Sequence, residues 1–402
     1  MNVLFITLLD FESIEEKGIY QDLMREFVKE YHKVYIISPT ERRKNKPTYV
    51  IESENTKILK LQISNTQKTN LIEKGISTIS LESKFKNGIK QYFADVTFDL
   101  VLYSTPPITL KNAVKYVKDR DNAKTYLLLK DIFPQNAVDL GMLKTTGPGS
   151  LIYNYFRSME KDLYDLSDVI GCMSEGNANY LRMHNPTLHD NIIEVCPNSI
   201  EPQDLQIKDQ TKAEIRSKYN IPTNKTLFVY GGNIGRPQGI DFLMECIKSN
   251  ETNDQAFFVI IGSGTEFNRL SNYFKTSKPK NSLLMSQLPK SEYELLANSC
   301  DVGLIFLDPR FTIPNFPSRL LSYMQAAMPV LAATDKNTDI GTTITSGNFG
   351  YWCESGDLQS FDRFVEKLCD QKLNKQLGQN AREYLERHYK ARTSYEIIMK
   401  HF

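Results

Sequence analysis

Three short stretches in the second half of the chain place backbone amides and a cation where an anion could sit. The first is Phe228-Val-Tyr-Gly-Gly-Asn-Ile-Gly-Arg-Pro-Gln-Gly-Ile-Asp241. Here an apolar run, residues 227–230, breaks into glycines and leads into a helical segment, 239–248. Glycines let a backbone approach a ligand closely, and the first-turn amides of the next helix lack internal partners. The second is Gly262-Ser-Gly-Thr-Glu266, which follows the apolar run 257–261. The third is Pro317-Ser-Arg319, where Ser318 is a natural N-cap and Arg319 falls in the first turn of the helix that follows. Arginine ordinarily weakens a helix N-terminus through the dipole; a diphosphate held between guanidinium and amides would reverse that balance. The first stretch is neither a Walker P-loop nor the dinucleotide fingerprint. The alternative reading is a tight turn between a strand and its crossover helix, with Arg319 as an ordinary surface residue.

In the first half, the apolar run 126–129 ends in Lys130-Asp-Ile-Phe-Pro-Gln-Asn136. Polar side chains at the carboxyl end of a central parallel strand sit where α/β sheets bind ligands. Two further runs end in polar residues, at Ser174-Glu-Gly-Asn177 and at Pro197-Asn-Ser199.

The elements that must hold these groups alternate. A strand is expected over 3–9, an amphipathic helix over 18–30 with Ile19, Leu23, Phe27 and Val28 on one face, and a strand over 34–38. That is one β-α-β unit. Short strands are expected within 51–63, helix over 71–93, strand over 100–104, helix over 111–120 and 150–165, and strands over 169–173 and 192–196. Residues 201–224, charged and with Pro202 and Pro222, read as a linker holding a short helix at 212–219. A second alternating block follows: strands over 227–230, 257–261, 282–285, 302–306 and 330–333, and helices over 291–298, from 315, 361–369 and 374–388. The fold class is therefore α/β, in two domains of one architecture. A chain of 402 residues exceeds what one core usually supports.

A net charge of +1 gives no global field for nucleic acid, so phosphate chemistry must come from local placement. The six cysteines are scattered, which points to reduced thiols in a cytoplasmic protein and away from a structural metal. The first residues lack the basic flank of a signal peptide, and no stretch has the length of a membrane-spanning helix. Residues 71–93 interleave Lys74, Lys84, Lys86 and Lys90 with apolar positions; Arg42, Arg43, Lys44 and Lys46 could join them. Two readings stand: a solvated basic face on a packed helix, or a surface meeting anionic lipid.

Taken in order, Gly18-Ile-Tyr-Gln-Asp22, Lys130-Asp-Ile-Phe-Pro134, Pro197-Asn198, the 231–239 stretch, Gly262-Ser-Gly-Thr-Glu266 and Asn315-Phe-Pro-Ser-Arg319 resemble the nucleotide-sugar glycosyltransferases of the GT-B fold, family 4 type. The bacterial capsule and O-antigen enzymes are the nearest part of that group. The resemblance runs the length of the chain. It implies two Rossmann-like domains facing a cleft: residues 1–200, binding the acceptor, and 201–388, binding the donor, with 389–402 returning to the first. It also implies metal-independent catalysis with no cofactor, and retention of anomeric configuration. The donor would be a nucleotide diphosphate sugar, UDP-linked. The acceptor would be a glycan, polyprenyl-diphosphate-linked at the inner membrane face, so that a cytoplasmic protein would sit peripherally there.

The same resemblance assigns Gly232, Asn233, Gly235, Arg236, Gln238, Gly262, Gly264, Glu266, Ser318, Arg319 and Ser322 to the donor, and Gly18, Asp22 and Asn198 to the acceptor side or hinge. Asp131 is the candidate general base, with Lys130 beside it expected to keep it ionised. Many relatives carry an Arg and a Lys in the first glycine loop where this chain has Asn233 and Gln238, and two glutamates where it has Pro314 and Ser322. Arg319 would then be the main cationic clamp, with Arg236 assisting. Two other readings share the frame: a UDP-sugar 2-epimerase and a non-catalytic nucleotide-sugar-binding protein.

Overall fold

A computed structural model describes residues 1–64, 71–204 and 207–402, with backbone alone for 71–80. The chain divides into two compact units, Met1–Glu201 with Ala391–Phe402, and Pro202–Lys390.

The first unit is built on eight strands: β1 (Asn2–Ile6), β2 (Lys33–Glu41), β3 (Tyr49–Glu52), β4 (Thr56–Ile63), β5 (Leu100–Ser104), β6 (Lys124–Leu129), β7 (Val169–Cys172) and β8 (Ile193–Val195). Their order is β3-β4-β2-β1-β5-β6-β7-β8, and only β3 runs antiparallel to its neighbour. Parallel strands are covered on both faces, so they read as unbroken apolar runs. Val3, Leu4, Phe5 and Ile6 are fully buried, as are Leu100 to Tyr103. β1 stops at Ile6, short of the expected 9, because the Thr7 hydroxyl accepts from the Leu9 amide and turns the chain.

The helix Ile19–Lys29 buries Leu23, Met24 and Phe27. The last helix, Ala391–Met399, packs beside it: the Phe27 and Tyr395 rings meet edge-on at 4.9 Å, and His32 Nε2 lies 2.9 Å from Tyr395 Oη. Its first amide, Ala391 N, donates to Ile200 O.

The second unit has six strands, all parallel: β9 (Thr226–Asn233), β10 (Ala256–Ser263), β11 (Ser282–Ser286), β12 (Val302–Phe306), β13 (Val330–Thr334) and β14 (Gly350–Glu354). The order is β11-β10-β9-β12-β13-β14. Chain direction across the sheet reverses between β9 and β12. Open α/β sheets bind ligands outside the carboxyl ends of the strands at such a reversal. The carboxyl end of β9 is Gly231-Gly232-Asn233, so the fold itself delivers the first glycine stretch to that place. Beneath it lie Phe228, Phe258, Phe306 and Phe361; burying each such ring contributes about 1.5–3 kcal/mol.

Candidate functional site

Glycines are required where the two loops meet. β9 and β10 stay in register past their apolar runs, pairing Gly232 with Gly262 and Asn233 with Ser263. A Cβ on Gly262 would lie 1.9 Å from the Gly232 carbonyl oxygen, so no side chain fits there. Gly232 has φ +127°, a conformation other residues rarely adopt. The bend is then closed by its own groups. Tyr230 Oη donates to Asn233 O at 2.6 Å, Asn233 Nδ2 to Gln238 Oε1 at 2.9 Å, and Gly235 N to the same oxygen at 3.2 Å. Ile234 N donates to Ser263 O and Glu266 N to Ile234 O, both 2.9 Å, which locks the first loop to the second. Gly232, Asn233, Arg236 and Gly264 remain exposed on this floor.

Arg319 reaches the same floor. Its Nη2 lies 3.2 Å from where a Cβ on Gly232 would stand, and its guanidinium carbon is 4.3 Å from the centre of the Tyr230 ring. Arg319 Nη1 is buried and has no hydrogen-bond partner among the described residues. Arg236 is placed differently. Its side chain is 60% exposed and pairs at 3.7 Å with Glu266, which also meets Arg269 at 3.4 Å. The floor therefore carries one half-buried cation and one exposed, partly neutralised one.

Two expectations about the third stretch need correction. The Ser318 side chain makes no capping bond, because its own backbone is already helical at φ −63°, ψ −18° and a cap residue needs extended geometry. The helix expected from 315 runs only Arg319–Gln325, seven residues, and its Leu320 and Leu321 amides already donate to Pro317 O and Ser318 O at 3.1 Å. Arg319 is held in place by other means. Asp335, fully buried at the end of β13, accepts from Asn337 N and Thr338 N at 2.9 Å. Asn337 Nδ2 then donates to Phe311 O at 2.6 Å and the Thr338 hydroxyl to Asn315 O, pinning the chain that leads to Arg319. Ser322 lies one turn on from Arg319 and is exposed, as is Ser318.

In the first unit, Thr105 organises the end of β6. Its Oγ1 accepts from Lys130 N at 3.1 Å and Asp131 N at 3.4 Å and donates to Asp131 O at 3.2 Å. The side chains of Lys130 and Asp131 then part, as successive residues of extended chain do. Lys130 Nζ turns to Cys196 O at 3.3 Å, and burial lowers its pKa. Asp131 Oδ2 instead accepts from Asn136 Nδ2 at 2.7 Å. Lysine therefore does not hold Asp131 ionised, as the sequence suggested. Burial pushes the Asp131 carboxyl up to about 6, against the Ile132 amide and Asn136. A second acid stands near: Glu160, 4% exposed, is raised by burial and by the charge of Asp131, while Arg157 and Tyr164 hydrogen-bond it.

The remaining first-unit candidates are less open. Asp22 is 4% exposed. Its Oδ1 is taken by Arg25 and, at 3.4 Å, by Gly18 N; its Oδ2 accepts from Glu201 N at 2.8 Å. It ties the helix start to the point where the chain leaves this unit. Asn198 is 7% exposed, and its Oδ1 has no partner among the described residues. With Tyr20, Lys130 and Ser394 it lines a cavity of about 10 Å³, room for one water at most.

The helix Leu71–Tyr92 packs its apolar face into the unit, while Arg42, Arg43, Lys44, Lys46 and Lys90 stay exposed. Leu81, Phe85, Ile89 and Phe93 are buried in the unit's core. Lys86 and Lys90 lie over the Tyr116 ring, Lys44 pairs with Asp10 and Lys46 with Glu12. The side chains of 71–80, Lys74 among them, lie outside the described residues. Among the described residues, no helix is long and apolar enough to cross a membrane, and no three His, Cys, Asp or Glu are placed to hold a metal.

Residues 211–384, inside the second unit and spanning the glycine floor and Arg319, match the family model for glycosyl transferases group 1. The chain is 26% identical over 355 residues to the probable glycosyltransferase WbjE of Pseudomonas aeruginosa, covering 87% of this chain and 84% of that protein. The chain is a glycosyltransferase. A second relative, the putative colanic acid biosynthesis glycosyl transferase WcaI of Escherichia coli, is 21% identical over 60% of this chain and 59% of its own length. The fold of this glycosyltransferase is GT-B. It superposes with a TM-score of 0.69 on Anabaena Alr3699/HepE in complex with UDP-glucose, at 12% identity over 100% of this chain and 98% of that one. With relatives of this kind, neither the epimerase nor the binding-protein reading is favoured.

Proposed function

We propose that this glycosyltransferase takes its sugar from a UDP-sugar bound on the 231–239 and 262–266 loops. The sugar passes to a glycan acceptor in surface polysaccharide synthesis. The observation that carries the proposal is the half-buried guanidinium of Arg319 lying against Gly232, its Nη2 nearest the bend and its Nη1 without a hydrogen-bond partner among the described residues. A donor left without an acceptor costs about 1–3 kcal/mol, more when charged, and a diphosphate that reaches the guanidinium from the bend supplies acceptors to it. As the bond from the anomeric carbon to the diphosphate breaks, its electron pair leaves with the nucleoside diphosphate. Arg319 stabilises that growing charge together with amides of the two loops other than those of Ile234, Gly235, Gln238, Gly239 and Glu266, which are already bonded. Even a modest enzymatic acceleration needs about 8 kcal/mol. One charge-assisted hydrogen bond supplies roughly 1.5–3 kcal/mol, so the guanidinium and amides must act together.

No resident cofactor or metal enters this scheme, and the configuration at the anomeric carbon is retained. Asp131 is the group that takes the proton of the acceptor hydroxyl. The acceptor is carried on a polyprenyl diphosphate, which brings the protein to the inner membrane face. The exposed Met142, Leu151, Ile152 and Tyr155 are candidates for that contact. Sedimentation with anionic vesicles, compared with a Leu151→Ser, Ile152→Ser variant, tests it; equal binding of the two would count against this surface. The donor is tested by a thermal-shift screen of UDP-, GDP-, dTDP- and CMP-sugars. UDP-sugars alone should raise the melting temperature, and no shift with any of them would end the donor reading.

A further inference from the structure

Resting on the donor reading above, we propose that Tyr230 is the positioning residue for Arg319, joining the guanidinium to the glycine bend. Tyr230 is fully buried and is the last residue of β9 before the glycines. Its ring face carries the guanidinium at 4.3 Å, and its hydroxyl donates to Asn233 O at 2.6 Å. One side chain therefore fixes the cation through its face and the bend through its tip. Phenylalanine would supply only the first contact, an aliphatic residue neither.

The surroundings are built for this arrangement. A Cβ on Gly231 would lie 2.0 Å from Tyr293 Oη, so that glycine is what lets Tyr293 close in beside it. Tyr323 lies beneath, its hydroxyl bonded to Val229 O at 3.1 Å and Leu304 O at 3.2 Å. The need for such a device follows from the loop's composition. Asn233 and Gln238 are bonded to each other, and Arg236 is drawn to Glu266. With Arg319 the cation on the floor that no carboxylate neutralises among the described residues, its alignment to the bend decides how well a diphosphate is held.

The test is a double-mutant cycle on UDP affinity by calorimetry, using the full chain. Tyr230→Phe loses one oxygen and keeps the ring; Tyr230→Met, smaller but flexible and apolar, loses both contacts. Melting curves establish that each variant folds, and the Phe variant stands alone if the Met variant does not. Arg319→Ala should weaken UDP about tenfold or more, as expected for a charge-assisted bond. Tyr230→Met should weaken it about fivefold in the parent chain, in keeping with a cation–π contact, and leave it unchanged in the Arg319→Ala chain. Tyr230→Phe should fall between, again only when Arg319 is present. Equal losses with and without Arg319, or no loss in the parent chain, would overturn the role of Tyr230. If Arg319→Ala itself leaves UDP affinity unaltered, the donor reading fails along with it.

Discussion

The Arg319 guanidinium sits 4.3 Å above the Tyr230 ring, with Nη2 3.2 Å from the place a Cβ on Gly232 would take. That contact brings together two stretches almost ninety residues apart in sequence. It turns a glycine bend into a surface with a defined positive side.

The glycine pair beneath this contact should tolerate nothing larger. In Gly262→Ala the new methyl would be driven against the Gly232 carbonyl at 1.9 Å. Either the β9–β10 register gives way or the bend lifts. We expect a loss of about 1–3 kcal/mol in stability, in the range of overpacked sites, together with loss of donor binding. Chemical denaturation and UDP titration of the variant measure both. Unchanged values for the two would mean the loops have more freedom than the pairing allows.

Gln238 should matter to the donor and little to the fold. Its side-chain oxygen receives both Asn233 Nδ2 and Gly235 N. In Gln238→Ala the exposed Asn233 amide turns to water, while Gly235, a buried residue, loses the acceptor of its N–H. The expected result is a several-fold rise in donor KM, with a stability change of about 1 kcal/mol. A fall in kcat at constant KM would point to a different part for this loop.

Asp131 makes a pH prediction whose sign is fixed. Its folded pKa of about 6 lies above the ordinary 3.8, so the native state holds the proton more tightly than the unfolded chain. The stability it contributes is complete below the unfolded pKa and is lost as pH rises through about 6. At neutral pH the ionised form is therefore a burden of at most about 3 kcal/mol, counting roughly 1.4 per unit. Asp131→Asn should raise the melting temperature at pH 7 and have little effect near pH 4. If Asp131 accepts the proton of the acceptor hydroxyl, log kcat/KM should climb with pH to a plateau above about 6. The Asn variant should lose that climb along with most activity.

Lys130 offers a way to separate packing from chemistry. Its ammonium is half-buried with one long bond, 3.3 Å, to Cys196 O, and burial lowers its pKa. Replacing a poorly satisfied buried charge by an apolar residue of similar volume is often neutral or stabilising. Lys130→Met should melt at or above the parent temperature. Any accompanying loss of turnover is then chemical, and a sharp drop in melting temperature would show instead that the charge is well satisfied.

The strands and bends were readable because each leaves a local mark. A strand covered on both faces must be apolar along its length, as in Phe228 to Tyr230, and a close approach of backbones must be glycine, as at 262. The residues that orient the site left no such mark. Thr105 acts on residues 25 and 26 positions away, and Asp335 holds its loop through Asn337 and Thr338. Such bonds join positions that become neighbours only through the sheet. The helix Ile340–Ser346 and β14 went unmarked for a related reason: the first is rich in β-branched residues and the second is short and only partly buried. Ser318 misled in the other direction, since a capping residue type says nothing about whether its backbone is extended.

The central claim is that one guanidinium on a glycine floor receives the leaving diphosphate. Thermal melting of the parent and of Arg319→Ala, each with and without saturating UDP, tests it most directly. At a UDP concentration about 100 times its Kd the parent should gain about 2.7 kcal/mol, several degrees in melting temperature. The folded Arg319→Ala protein should gain little at that concentration. If both proteins shift equally, the diphosphate is held elsewhere and the account is wrong.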